Sequence, residues 1–295
     1  MKIINGCEFS FSKENKAIES ANSGELLLFK TKDCFNEQIS SEKQLITQIN
    51  FDVANPTAGP VYINDAKAGD ILVVDILDIN VCSRGFACSI PNMGPLSDLA
   101  VTRTKVFNVE DGFVKFNDIS WPINPMVGVI GSAPLKEPVP CGFAHNHGGN
   151  MDSKVITKGS KVYLPVRIDG ALLQMGDLHA TMGDGEVCGT GIEISGEVLV
   201  NTRVIKNIDL NWPVTETNDF WYVNTTGRNY DEALAEGCKE LARLMEPVYN
   251  WDVTDIFIYL SVQGNVEINQ GARPAPGDML TLRVGIPKIC GKNLL

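Results

Sequence analysis

Three times in this 295-residue chain a glycine turn launches a run of apolar and β-branched residues. The turns are Lys67-Ala68-Gly69-Asp70, Thr157-Lys158-Gly159-Ser160 and Ala275-Pro276-Gly277-Asp278, with strand-like runs through Ile76, Val166 and Val284. Glycine enters φ > 0 without steric cost and so reverses the chain tightly, while β-branched side chains fit a pleated surface better than a helix. The spacing between the three is uneven, which marks one local device used repeatedly rather than a repeat array. Strands are also predicted over 25–31, 61–63 and 71–81. From Gly191 to Ile208 polar Glu193, Ser195 and Glu197 alternate with apolar Ile192, Ile194 and Val198, the period of a strand with one polar face. Residues 83–96, carrying Gly, Pro and Asn, read as an exposed connection.

Helical signal is confined to the last third. Asp231 can cap a helix through Met245, with Leu234, Cys238, Leu241 and Met245 on one face and Pro247 ending it. Asp252 or Thr254 can cap a second, buried helix through about 262, stopped by Gly264, before strand resumes at Val266. These patterns predict a mainly β protein of sandwich or jelly-roll-like sheets with a small α+β closing segment near the C-terminus. It is read as one unit over 1–295, β-rich through 210 and α+β from 211, with no clear linker.

Net charge is −11 and no Lys/Arg cluster occurs, which argues against nucleic acid and anionic membrane surfaces as partners. No apolar run is long enough for an export signal or a membrane-spanning helix. Eight cysteines without C-x-x-C spacing then read as reduced thiols, and the protein as cytoplasmic.

All three histidines, at 145, 147 and 179, lie between Cys141 and Glu197, where glycine is dense and seven carboxylates follow. Ligating groups on Gly-rich turns suit a metal or catalytic site better than a core. His145 and His147 are two apart, as are Asp177 and His179; on extended chain each pair points to one face. Two such pairs supply up to four N/O ligands for Zn²⁺ or another divalent ion, with Glu186 and Glu193 as a further ligand or general base. Plainer readings exist for several neighbours. Asp184 suits an ordinary Gly-Asp-Gly turn, Glu197 a solvated strand position, Asp152 a turn acceptor. Cys188, two residues after Glu186, reads as a small apolar residue more readily than as a nucleophile.

The stretch also resembles the acetamidase/formamidase family. The resemblance rests on His147-Gly148-Gly149-Asn150-Met151-Asp152, Met175-Gly176-Asp177-Leu178-His179-Ala180, Met182-Gly183-Asp184-Gly185-Glu186-Val187 and Gly191-Ile192-Glu193, supported outside by Asn55–Tyr62 and Pro125–Gly131. It implies cleavage of the C–N bond of short linear carboxamides to ammonia and carboxylate, a largely β fold, and a homodimer or higher oligomer. It also implies a divalent metal, zinc first and calcium second. Carried over by motif, His147, Asp152, Asp177, His179 and Glu193 are metal-site candidates, Glu186 the general base, and Asn150 a residue that orients the amide. His145 departs from the pattern and receives no role. No organic cofactor is implied.

Two other classes compete. His145-x-His147 with Asp152 and Gly159 is similar to part of a cupin metal motif, which implies an oxygenase or isomerase; the Glu expected at 152 and the Pro and Asn of the second motif are missing. A non-catalytic β-sandwich stabilised by Ca²⁺ through its acidic loops is the third reading, although histidine suits a softer ion.

Overall fold

The computed structural model describes residues 1–272 and 280–295. The first two glycine turns launch strands as expected. The third turn, at 275–278, lies outside the described residues, and the strand Leu280–Pro287 follows it. The chain is mainly β, a curled and largely antiparallel sheet with a helical segment near the C-terminus, in agreement with the fold class read from the sequence.

The strand Ile71–Ser89 is the spine. It pairs antiparallel with Glu193–Ile205 from Phe86 to Ile71, and Leu26–Thr31 lies on the other side of Glu193–Ile205. Its opening run is apolar at every position because both faces are covered. Leu72, Val74 and Ile76 enter one apolar core with Val162, Leu164, Val198 and Val200. Ile71 and Val73 point the other way, into a second core with Val223, Leu282 and the helix residues Leu241 and Met245. The two-residue period of a strand thus divides one sequence run between two cores.

This strand runs eight residues past the expected end at 81. Gly85, within the expected exposed connection over 83–96, instead marks close approach: a Cβ there would stand 2.7 Å from the Glu193 carbonyl oxygen and 2.9 Å from Ile192. The extension pairs with Arg103–Asn108 and brings the spine beside Glu193.

Helix α1 (Tyr230–Met245) is capped by Asn229, whose side chain accepts from the Glu232 amide, two residues earlier than the expected Asp231. Helix α2 (Val253–Gln263) begins at Asp252, which accepts from the amides of Thr254 and Asp255, and stops at Gly264. Its expected burial is not found: Ile256 is buried, whereas Phe257, Ile258 and Val262 are exposed. Apolar composition alone carried that expectation, and composition does not say which face has a partner. Among the described residues no helix is long and apolar enough to cross a membrane.

Candidate metal and catalytic site

The strand Met126–Gly131 is buried throughout and carries two neighbours, Gly148–Asn150 and Leu173–His179. Leu173–His179 in turn meets Glu193–Ile205, with His179 directly opposite Glu193. This pairing collects residues spread over 42 sequence positions. Asp152 follows the first neighbour, Asp177 and His179 lie on the second, and Glu186 sits in the turn between His179 and Glu193.

His179 is the hub. Its Nε2 stands 3.0 Å from Glu193 Oε2, 3.5 Å from Asp177 Oδ1, 3.9 Å from Glu186 Oε1 and 4.0 Å from Asp152 Oδ1. All five side chains are buried. The 3.0 Å approach is close but not aligned as a hydrogen bond: Glu193 Oε2, Asp177 Oδ1, Asp152 Oδ1 and His179 Nδ1 all lack a hydrogen-bond partner. Buried acceptors are rarely left so. Their ligating atoms fall into two trios, Asp152–His179–Glu186 and Cys34–Asp177–Glu193, each within 4.8 Å of one another. Orphaned carboxylate oxygens around an imidazole fit a divalent cation, and the nitrogen and sulfur donors suit zinc better than calcium.

Burial sets the electrostatics, and the crowded charges compound it. It raises Asp152 to about 8, with the Asp177 carboxylate adding to the effect, and Glu193 to about 7 against the opposing pull of His179. Glu186 is pushed well above the usual carboxylate range by burial and then by Asp152. Burial alone would lower His179, but Glu193 and Asp177 outweigh it and hold the imidazole well above its ordinary value.

The backbone is forced here too. Asp152, Asp177 and Glu186 have φ of 46°, 55° and 40°. Non-glycine residues in this region cost about 1–3 kcal/mol each and gather at functional sites. Gly128 makes the packing possible: a Cβ there would lie 2.6 Å from Asp152 Oδ1 and 2.7 Å from Asp177 Oδ2. Gly128→Ala is expected to displace both carboxylates and lower metal content and turnover together, while Gly183→Ala, whose added methyl meets open space, leaves both near wild type. Metal analysis beside an activity assay checks the pair.

Other predicted residues are placed as follows. Asn150 borders a 720 Å³ cavity, with Oδ1 buried and unpartnered. His147 is fully buried and falls in neither trio. Its ring packs edge-on to Phe11 at 4.9 Å, both nitrogens lack partners, and burial lowers its pKa to about 3. A hairpin explains its separation from His145, since Ala144–His145 pairs back onto Gly148–Gly149 and the two histidines are not on one extended strand. His145 is exposed, beside Trp212. Asp184 holds structure, gripped by Arg283 at 2.8 and 3.0 Å and by Lys154 at 2.5 Å. Cys188 borders a different cavity with Arg103 and Trp121.

Two residues escaped the sequence reading. Gln270 Nε2 donates to Asp152 Oδ2 and Glu186 Oε2, both at 2.9 Å, from the strand Asn265–Gln270. Cys34 joins Asp177 and Glu193 from the opposite end of the chain. Neither lies in a motif; only sheet pairing brings them in. Both border the 720 Å³ cavity, whose walls include Phe35, Ile46, Ile49, Ile90, Met93 and Phe143.

Several known proteins are similar to this chain. The acetamidase from Bacillus halodurans is 36% identical, with 97% of each chain covered and a TM-score of 0.93. A protein described as a predicted acetamidase/formamidase from Thermoanaerobacter tengcongensis is 37% identical, covers 97% of this chain and 96% of its own, and also scores 0.93. The formamidase of Methylophilus methylotrophus is 48% identical over 64 residues, 21% of this chain but 16% of its own length. The family model described as Acetamidase/Formamidase matches residues 11–140 and 139–264. Over most of its length, then, this chain belongs to the acetamidase/formamidase family.

Proposed function

We propose that the protein hydrolyses the C–N bond of a short linear carboxamide, releasing ammonia and the carboxylate, with a divalent cation held by Asp152, Asp177, His179 and Glu193. The observation that carries this reading is the buried set of four carboxylates around His179, three of which, Asp152, Asp177 and Glu193, turn toward it an oxygen with no hydrogen-bond partner. Like charges so crowded do not stay ionised and buried without a counter-charge. When bound, the ion supplies polarisation of the amide carbonyl and a lowered pKa for water.

The chain's own groups do the rest. Asn150 Oδ1, free to accept, receives an N–H of the substrate amide and turns its carbonyl toward the cluster. Glu186 takes the proton of the attacking water and returns it to the leaving nitrogen, which departs as ammonia. Gln270 fixes Glu186 and Asp152 at one separation through its paired donation, and the apolar cavity walls exclude bulk water. His147, neutral and outside both trios, is given no proton to move. Family membership supports the amidase reading, as do the relatives named acetamidase and formamidase; a cytoplasmic location and a homo-oligomer remain part of the same proposal.

The test is metal analysis of the purified protein with an anaerobic ammonia assay over formamide, acetamide and longer amides. Zinc in the protein, ammonia release, and loss of turnover on chelation are expected. Turnover undiminished after complete metal removal overturns the metal role, and O₂ consumption without ammonia would favour an oxygenase.

The pKa shifts also predict the behaviour of metal-free protein. Asp152 and Glu193 bind protons more tightly folded than unfolded, so their contribution is full below about pH 4 and lost as pH rises through about 7 to 8. Between pH 5 and 8 the folded state holds the extra protons, and stability falls with rising pH by about 1.4 kcal/mol per unit for each group titrating there. Denaturant midpoints of chelated protein should therefore fall across this window, and zinc should flatten the slope.

A further inference from the structure

We propose that the acyl group this site takes is uncharged, apolar and of hexanoyl size or larger, rather than formyl or acetyl. This rests on the amidase reading above, which fixes the bond cleaved, and it names the part of the substrate that carries that bond. The observation behind it is a mismatch of volumes. The cavity bordered by Asn150 and Gln270 measures 720 Å³. At roughly 30 Å³ for each water-sized group, acetamide with its four non-hydrogen atoms displaces about 120 Å³. Cavities of about 300–1,000 Å³ enclose ligands much larger than this.

Protein interiors are close-packed, and a space this large persists only where its walls are braced. The 35–50 segment is so braced. Gln38 Nε2 donates to the Phe35 carbonyl at 2.9 Å and the Asn50 carbonyl at 3.1 Å, while its Oε1 accepts from the Asn50 amide at 2.8 Å. Gln44 ties the same loop, accepting from the Ser40 amide at 2.8 Å and donating to the Gln38 carbonyl at 3.0 Å. Another wall, made by Ile90 and Met93, is seated on the turn that carries Glu186. A side chain at Gly189 would collide with Met93 Sδ and lie 3.2 Å from Ile90 Cδ1, so glycine there lets the wall approach.

The walls are apolar, and one residue ties them to the reacting centre. Phe35, Ile46, Ile49 and Ile90 pack with Cys34 in a cluster separate from both large cores. Cys34 Sγ in turn lies within 4.8 Å of an oxygen each of Asp177 and Glu193. An amide held at Asn150 can thus extend its acyl chain from the carboxylates onto these side chains. Charge limits what that chain ends in. Among the described residues bordering the cavity Asp52 is the one charged group, and it is exposed. No cation is there to receive an anionic tail, which would be desolvated without a partner.

Ammonia release from acetamide, butanamide, hexanamide and adipamate by the purified protein supplemented with zinc tests this. Each methylene moved from water onto such walls is worth about fourfold in kcat/KM, so hexanamide should exceed acetamide by about 10²-fold. Adipamate, the same chain ending in a carboxylate, should fall about tenfold or more below hexanamide. Ile49→Trp fills part of the cavity from a half-buried wall position and should lower the hexanamide-to-acetamide ratio by about tenfold. Ammonia released with kcat/KM flat or falling from acetamide to hexanamide overturns the inference and leaves the amidase reading standing. No ammonia from any of the four overturns both. Equal kcat/KM on hexanamide and adipamate overturns the uncharged acyl group. An unchanged ratio in folded Ile49→Trp overturns the placement of the chain, and the wild-type series decides the matter if that variant does not fold.

Discussion

His179→Ala should lose bound metal and ammonia release together. Of the five side chains at the centre it is the only imidazole, and its Nε2 lies within 4.0 Å of all four carboxylates. Without it Asp152, Asp177, Glu186 and Glu193 face one another across a methyl group, with the imidazole that offsets their charge gone. Removing one partner from a buried charged set typically costs about 3–5 kcal/mol. The variant should therefore unfold at lower denaturant as well as hold no zinc. Elemental analysis, an ammonia assay and a denaturation curve on the same preparation check all three, and full activity in a metal-replete variant excludes ligation by this residue.

Glu186→Gln should separate proton transfer from metal binding. The carboxyl is buried, sits at a φ of 40°, and accepts from Gln270 at 2.9 Å. A glutamine is nearly isosteric and can still present its carbonyl oxygen to Gln270, so the turn should persist. What it loses is the capacity to accept a proton. A drop in kcat of about 10²–10⁴ is expected, the usual worth of a general base, with zinc content near wild type and KM little changed. Normal kcat would transfer the role to Glu193 or Asp152.

Where pattern follows from local physics, the sequence was a good guide. Ile71 to Val74 is apolar at every position because both faces of its strand are covered, and such a run reads as a buried strand directly. The turn glycines at 69 and 159 launch strands as expected, and Asp252 and Gly264 bound α2 as predicted. The misreadings share one cause, which is that partners distant in sequence are invisible. Gly85 is a glycine because Glu193 backbone lies against it, not because the chain turns. The exposed side of α2 has the composition of a core helix.

The site divides in the same way. Asp152, Asp177, His179, Glu186 and Glu193 lie within 42 positions and carry recognisable spacing, so they were nameable before any coordinates. The i, i+2 rule holds for Asp177 and His179, which share a strand. It does not hold for His145 and His147, because a hairpin turn separates them. Cys34 and Gln270 lie more than 100 and about 80 residues from the nearest of these groups. A thiol after an aspartate and a glutamine before a glycine are unremarkable in one dimension.

The reach of Gln270 into the centre has a consequence for how the protein is made. Asp152 and Glu186 emerge from the ribosome some 80 to 120 residues before the amide that spaces them. A nascent chain stalled in α2 carries every carboxylate but lacks the strand that braces the 185–186 turn. On the metal-dependent reading proposed above, zinc offered to such a chain meets loose acids, and productive loading waits until Gln270 has emerged.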